Sequence, residues 1–261
     1  MKRKTFYYSD QLNDDFAGTN IKRKPLKKDY KFISDNVVFG FVSFILYYFL
    51  AVPLVFIFTK VVFREKIVGK DKLKPYGKSG YYLFGNHTHA LCDAFTPALI
   101  TFPKKAYILV NPDAVSIPIV SFFVKAFGGV PVADKPQLMP RYLKSVKTLS
   151  AKNKVVTVYP EEHIWPYYTG IRNFKDTSFK YPVITDKPTF VFTRTYKKRK
   201  ILSLPRTIVY VDGPFLPDKN LSQKQNQKML RDFAYDTMLY RSKQSDVQIN
   251  DYVYRPNNDA L

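Results

Sequence analysis

The longest apolar run in the chain, VVFGFVSFILYYFLAVPLVFIFT at 37–59, holds 23 residues without a charge. As a helix it reaches roughly 35 Å at about 1.5 Å per residue, enough for a bilayer core of about 30 Å. Pro53 removes a backbone donor and favours a kink or break, so the segment is expected either to span or to dip in as two short helices. Ahead of it, residues 1–36 are polar and read as a partly disordered arm or as a contact for anionic lipid headgroups. From about residue 80 the pattern changes. YYLFG (81–85), KAYILV (105–110), KVVTVYP (154–160), TFVFTRTY (189–196) and RTIVYVDGP (206–214) read as strands. AVSIPIVSFFVKAF (114–127) has helical length, and MPRYLKSVKTLSA (139–151) puts Tyr142, Val146 and Leu149 on one helical side and lysines on the other. Ser222 is positioned to cap a last helix over 223–242, and 245–261 read as a loose tail. Strands separated by helices predict an α/β fold, a mixed and largely parallel sheet flanked by helices, behind an N-terminal apolar membrane-associating segment. The expected divisions are 1–75 for arm and apolar segment, 76–217 for the α/β domain and 218–261 for helix and tail. There is no internal repeat.

Composition adds a direction. With 42 Lys and Arg against 21 Asp and Glu, the net charge is +21, which favours polyanionic partners: nucleic acid, an anionic bilayer or a phosphorylated substrate. No nucleic-acid-binding motif is present and the basic residues are spread along the chain, so nucleic acid is not expected. Residues 20–36 and 60–75 each carry six Lys or Arg. Basic flanks on both sides suit a segment that enters and leaves by one face, expected to be the cytoplasmic face of the cell membrane. Cys92 is the sole cysteine, which excludes an intrachain disulfide. No cleavable signal peptide is expected from the polar first 36 residues.

Candidate chemistry gathers in GNHTHALCDAF (85–95), which follows a strand and opens a helix. Polar groups just past a strand's end are where α/β folds place their sites. An imidazole beside a carboxylate can take a proton from a hydroxyl at neutral pH, and the carboxylate fixes the tautomer and stabilises the imidazolium. No serine or cysteine nucleophile motif accompanies the pair, so it would activate the substrate's own hydroxyl. Both His87 and His89 are in reach of Asp93, His89 by lying four residues before it on one helical face. A second chemistry stays open. His87, His89, Asp93 and His163, with Glu161, are possible ligands of a metal-dependent hydrolase. A non-enzymatic nucleic-acid or membrane adaptor, resting on charge alone, is a third.

GNHTHALCD resembles the Asn-His-x4-Asp signature of the glycerolipid acyltransferases, the family that includes the 1-acylglycerol-3-phosphate acyltransferases. Three further blocks follow in the family's order: GGVPVADK (128–135), VVTVYPEEH (155–163) and KPTFVFTRTY (187–196). The resemblance covers about residues 80–215. It implies transfer of a fatty acyl group from acyl-CoA or acyl carrier protein to a hydroxyl of a glycerol-phosphate lipid, 1-acylglycerol-3-phosphate or a lysophospholipid, in phospholipid synthesis. It implies no bound cofactor. It implies His87, which follows Asn86, as the base and Asp93 as its partner, and Asn86, Lys135, Glu161, Arg172 and Lys175 as substrate-binding residues, with Lys180 and Arg141 in reserve. The chain departs from the pattern at three points. Five residues separate His87 from Asp93 instead of four, Glu162 and His163 stand for Gly and Thr in the third block, and Ile164 replaces its Arg. Arg172, Lys175 and Lys180 in the following stretch are the expected substitutes for that Arg at phosphate.

Overall fold

The structure, a computed structural model, describes residues 3–18, 24–199 and 204–256. Lys2, Lys22 and Arg23 of the basic arm and residues 257–261 of the tail lie outside the described residues. In chain order the strands and helices are β1 (Thr5–Tyr8), α1 (Val37–Ile45), α2 (Val52–Val61), β2 (Lys66–Val68), β3 (Tyr81–Gly85), α3 (Ala90–Thr101), β4 (Ala106–Val110), α4 (Pro118–Ala126), β5 (Gly129–Pro131), α5 (Met139–Ala151), β6 (Val155–Val158), α6 (Lys180–Thr185), β7 (Thr189–Lys197), β8 (Arg206–Phe215), α7 (Gln223–Ser242) and β9 (Asp251–Tyr254).

Seven strands form one sheet in the order β2-β8-β7-β3-β6-β4-β5. From β7 to β5 every pairing is parallel, whereas β8 runs antiparallel to β7 and carries β2 parallel to itself. Both faces are covered, so β3 is apolar throughout: Tyr82 and Phe84 face one core with α5 and α7, Tyr81 and Leu83 face the other. The first core also takes in Leu26 and Phe32 of the arm and Leu230, Ala234 and Met238 of α7. The expected divisions at 75 and 217 therefore do not separate packing units. Residues 66–68, assigned to the arm, are a strand of the sheet, and α7 is needed to cover it.

Residues 37–61 are continuously helical, so Pro53 does not break the segment. Between α1 and α2, residues Leu46–Ala51 form a π turn in which Val52 N–H donates to the Tyr47 carbonyl, five residues back. Widening the turn relieves the clash between a proline ring and the carbonyl of the preceding turn. The 25-residue helix is long and apolar enough to cross a membrane by length and composition. Its buried positions, Ser43, Tyr47, Ala51, Val52, Val55 and Thr59, recur about every four residues from 43 to 59. Tyr47, Val52 and Val55 pack on Ala98 and Leu99 of α3. Tyr47 Oη accepts the Ala106 N–H at 3.1 Å, and Ser43 Oγ donates to the Ala126 carbonyl at 2.7 Å. The opposite face, with Phe41, Phe49, Leu54 and Ile57, is exposed, and Ile119 and Val120 of α4 extend that apolar surface.

The arm and the tail are more ordered than the sequence suggests. β1 and β9, from opposite ends of the chain, pair in parallel from Thr5↔Asp251 to Tyr8↔Tyr254. This two-stranded sheet lies against the loop after β6. Trp165 stacks on Tyr252 at 4.8 Å between ring centroids and packs against Tyr8 and Phe16. Aromatic burial of this kind outweighs the polar composition of both segments.

Candidate active site

The site is built at the carboxyl end of β3. A Cβ on Gly85 would fall inside the Phe192 ring of the neighbouring strand, so only glycine lets β3 and β7 close to this register. Asn86 then locks β3 to β7: its Oδ1 accepts Arg194 N–H at 2.8 Å and its Nδ2 donates to the Arg194 carbonyl at 3.1 Å. Asn86 is buried, and this bond pair is a structural clasp.

His87 and Asp93 meet. His87 Nδ1 lies 3.0 Å from Asp93 Oδ2, with the imidazole 17% exposed and the carboxylate fully buried. The extra residue between them relative to the family spacing is absorbed by the turn 87–89, which wraps the carboxylate. Thr88 N–H and His89 N–H both donate to Asp93 Oδ2, at 2.8 and 2.7 Å. The imidazole stacks on Tyr159, 4.4 Å between centroids, which fixes its plane. With Nδ1–H donating to Asp93, the Nε2 lone pair faces outward, and Nε2 makes no hydrogen bond among the described residues. His89 has a different position. It is the N-cap of α3, its Nδ1 accepting Cys92 N–H at 3.1 Å, and burial lowers its pKa to about 4. His89 is therefore neutral and committed to the helix end.

Behind Asp93 stands a buried charge set that the sequence reading missed. Arg194 on β7 donates from Nε to Asp93 Oδ1 at 3.3 Å and from Nη1 to Glu65 Oε2 at 2.6 Å, and from Nη2 to Thr96 Oγ1. All three charged side chains are buried. Burial alone would raise the Asp93 carboxyl; the hydrogen bond from His87, the Arg194 charge and the His89 N–H outweigh it and hold the pKa below the ordinary carboxylate range. Burial also opposes the Arg194 charge, but Glu65 and Asp93 more than offset it, so Arg194 stays protonated. One positive group against two carboxylates leaves a formal charge of −1 beside His87. That charge stabilises an imidazolium formed at this position. The signal in the sequence was an arginine inside the apolar strand TFVFTRTY, where an unpaired charge would be too costly to bury.

The third block organises the loops. Glu161 is buried; its carboxylate accepts His87 N–H at 2.7 Å and Arg172 N–H at 2.8 Å, tying the β3 and β6 loops together. Burial raises its pKa, against the charge of Arg172. Two further backbone bonds join the loops, Trp165 N–H to the His87 carbonyl at 3.2 Å and Tyr167 N–H to the Thr88 carbonyl at 2.8 Å. Glu162, which stands where the family has glycine, keeps the left-handed backbone such a glycine supplies, with φ 64°. The substitution leaves the turn intact and adds local strain.

Arg172, expected at the acceptor phosphate, is 1% exposed. Its guanidinium donates to the carbonyls of Gln11 at 3.2 Å, Glu161 at 3.1 Å and His163, and lies 5.0 Å over the Trp165 ring. The arm supplies one of those carbonyls, from a segment more than 150 residues earlier in the chain. Lys135 and Lys175 are exposed and follow the carboxyl ends of β5 and β6, the same end of the sheet as His87; Arg141 donates to the Lys28 carbonyl at 2.7 Å. The residues of the metal reading do not converge. His163 turns towards Asp15, 3.7 Å from its carboxylate, and His89 is engaged at its helix. Among the described residues no group of three or more His, Cys, Asp or Glu could hold a metal ion.

A dry groove runs beside the site. Leu54, Val55 and Phe58 of α2 face Leu91, Cys92 and Phe95 of α3 across a cavity of about 250 Å³ with almost no polar lining. Burial pushes the Cys92 thiol up to about 12, so it behaves as a small apolar side chain.

No family model and no curated protein matches the sequence. Solved structures do match: the crystal structure of the 1-acyl-sn-glycerophosphate (LPA) acyltransferase PlsC from Thermotoga maritima superposes with a TM-score of 0.52, at 14% identity, over 80% of this chain and 95% of that one. At that identity the likeness speaks for the fold, and the chain has the fold of this acyltransferase.

Proposed function

We propose that the protein is an O-acyltransferase that moves a fatty acyl group from a thioester, acyl-CoA or acyl carrier protein, to a hydroxyl of a glycerol-phosphate lipid such as 1-acylglycerol-3-phosphate. The observation that carries the reading is the His87–Asp93 contact of 3.0 Å, with Asp93 buried on Arg194 and His87 Nε2 directed outward. In this scheme Nε2 takes the proton of the acceptor hydroxyl as the oxygen attacks the thioester carbonyl. The tetrahedral intermediate expels the thiolate, which recovers the proton from Nε2. Asp93 keeps the Nδ1–H tautomer, and the net −1 behind it favours the imidazolium between the two transfers. The groove between α2 and α3, whose apolar lining includes Cys92, the residue before Asp93, is proposed to take part of the fatty chain. Exposed Lys135 and Lys175 are proposed to hold the acceptor phosphate, with Arg172, Glu161 and Asn86 shaping the loops. The test is acyl transfer from a thioester to lysophosphatidic acid by the purified protein, with and without chelator. Transfer that survives chelator supports the reading; activity that needs restored zinc points to the hydrolase instead.

The same reading places the protein on a membrane. Because 37–61 packs on the α/β body by one face from Ser43 to Thr59, we infer that it lies in the bilayer surface with its exposed face in the lipid, on the cytoplasmic side, without carrying the domain across. The full-length chain is expected to float with vesicles at both low and high salt, because apolar burial is not screened. Exchanging the exposed Phe41 and Ile119 for aspartate should release most of it while leaving the thermal unfolding midpoint unchanged. Release of the unaltered chain by salt alone would mean that the contact is only electrostatic.

A further inference from the structure

At the end of the sheet opposite His87, a cavity of about 870 Å³ opens between α1, α4 and the starts of β4, β5 and β6. Its size is within the range of small-ligand sites. Five lysines line it, Lys31, Lys105, Lys125, Lys152 and Lys154, against one carboxylate, Asp35, which lies 3.9 Å from Lys152 Nζ. Lys105 is the inner member. Its Nζ donates to Ser43 Oγ and the Ala126 carbonyl, both at 2.6 Å, and lies 5.0 Å over the Tyr47 ring. It makes no ion pair among the described residues. Burial, then the charge of Lys154, brings its pKa down to about 8, so an anion in the cavity would relieve both penalties. Lys125 is held over the Tyr30 ring at 4.6 Å.

The other wall is apolar. Phe39, Phe44 and Phe122 line the cavity and continue onto the exposed face of α1 and α4. A simple inorganic anion would explain the lysines and leave this wall unused. An amphiphile with a phosphate at one end and chains at the other uses both. We propose that the cavity is a second lipid site, which holds the phosphate of an acidic phospholipid on Lys105, Lys125, Lys152 and Lys154 while its chains run out past Phe39, Phe44 and Phe122 into the bilayer. It is separate from the transfer site, since none of His87, Asp93, Glu161 or Arg194 lines it. It does not depend on the acyltransferase reading.

The experiment is calorimetric titration of the full-length protein in nonionic detergent with dioctanoyl phosphatidylglycerol, dioctanoyl phosphatidylcholine and inorganic phosphate, without thioester. Phosphatidylglycerol is expected to bind at least about tenfold tighter than either of the others. The double variant Lys152→Glu, Lys154→Glu alters exposed side chains and should keep its thermal midpoint. It is expected to lose at least about tenfold in phosphatidylglycerol affinity, since each basic residue near a lipid phosphate contributes several-fold. Lys154→Arg should retain the affinity. Equal binding of the two lipids, or equal binding by wild type and the double variant, overturns the proposal. Inorganic phosphate binding as tightly as phosphatidylglycerol overturns the lipid assignment and leaves a plain anion site. Because no acyl transfer is read, failure here leaves the transfer reaction untouched.

Discussion

His87→Ala is expected to lower turnover by at least about two decades, within the factor of 10²–10⁴ that a positioned base contributes. Donor affinity should be nearly unchanged, because the lost interaction acts on the barrier and not on the bound ground state. Asp93→Asn should be severe for a related reason. It keeps the shape of the side chain, but removes the charge that His87 gains a proton against, and an amide nitrogen at Oδ2 would point a donor at the Thr88 and His89 N–H groups. His89→Ala is the control: it removes an N-cap, a loss of about 1 kcal/mol in stability, and should cost less than about tenfold in rate. The assay is steady-state transfer with varied donor and acceptor. A His87→Ala enzyme that turns over at the wild-type rate would remove His87 from the chemistry.

The largest effect on stability is expected at Arg194. Arg194→Met leaves Asp93 and Glu65 as buried carboxylates without their shared cation, and breaking a buried pair from one side costs about 3–5 kcal/mol. For a chain of this size the thermal midpoint should fall by roughly 10 °C. The sign with pH is also set. Without the guanidinium, one of the groups that hold the Asp93 carboxyl down against burial is gone and its pKa moves up, so relative to wild type the variant should lose less stability as pH falls than as pH rises through the shifted value. Adding Glu65→Gln removes one of the stranded charges and should recover part of the loss. A single variant that melts with the wild type would mean that the set contributes little to the fold.

The strands at 81–85, 189–196 and 206–214 and the helices at 139–151 and 223–242 were readable from periodicity, because each buries a continuous face against the sheet. The short edge strands β2 and β5 have three residues each, too few for a period to register. β1 and β9 carry no local sign of each other across 246 residues, since their pairing is decided by what else they cover. The site divides in the same way. Asn86, His87 and Asp93 stand in one short stretch and could be read together. Glu65 and Arg194 are 129 positions apart, and only the sheet brings them to one carboxylate. Arg172 was assigned to phosphate as a substitute for the arginine missing from the third block, while the chain segment that covers it comes from residue 11.

The pairing of β1 with β9 also sets an order of assembly during synthesis. The side chains and N–H groups that touch His87 and Asp93 lie between residues 65 and 196, and the sheet that carries them can close once β8 and α7 have emerged. The outer brace of the Glu161 loop cannot. Asn250 Nδ2 and Tyr252 Oη both donate to the Pro166 carbonyl at 2.8 Å, and Tyr252 stacks on Trp165. Domains form in the order in which they emerge, so the loop is sealed only when residue 254 is released. By then the helix at 37–61 has long emerged, so on the membrane reading proposed above a nascent chain would reach lipid before the loop beside His87 is closed.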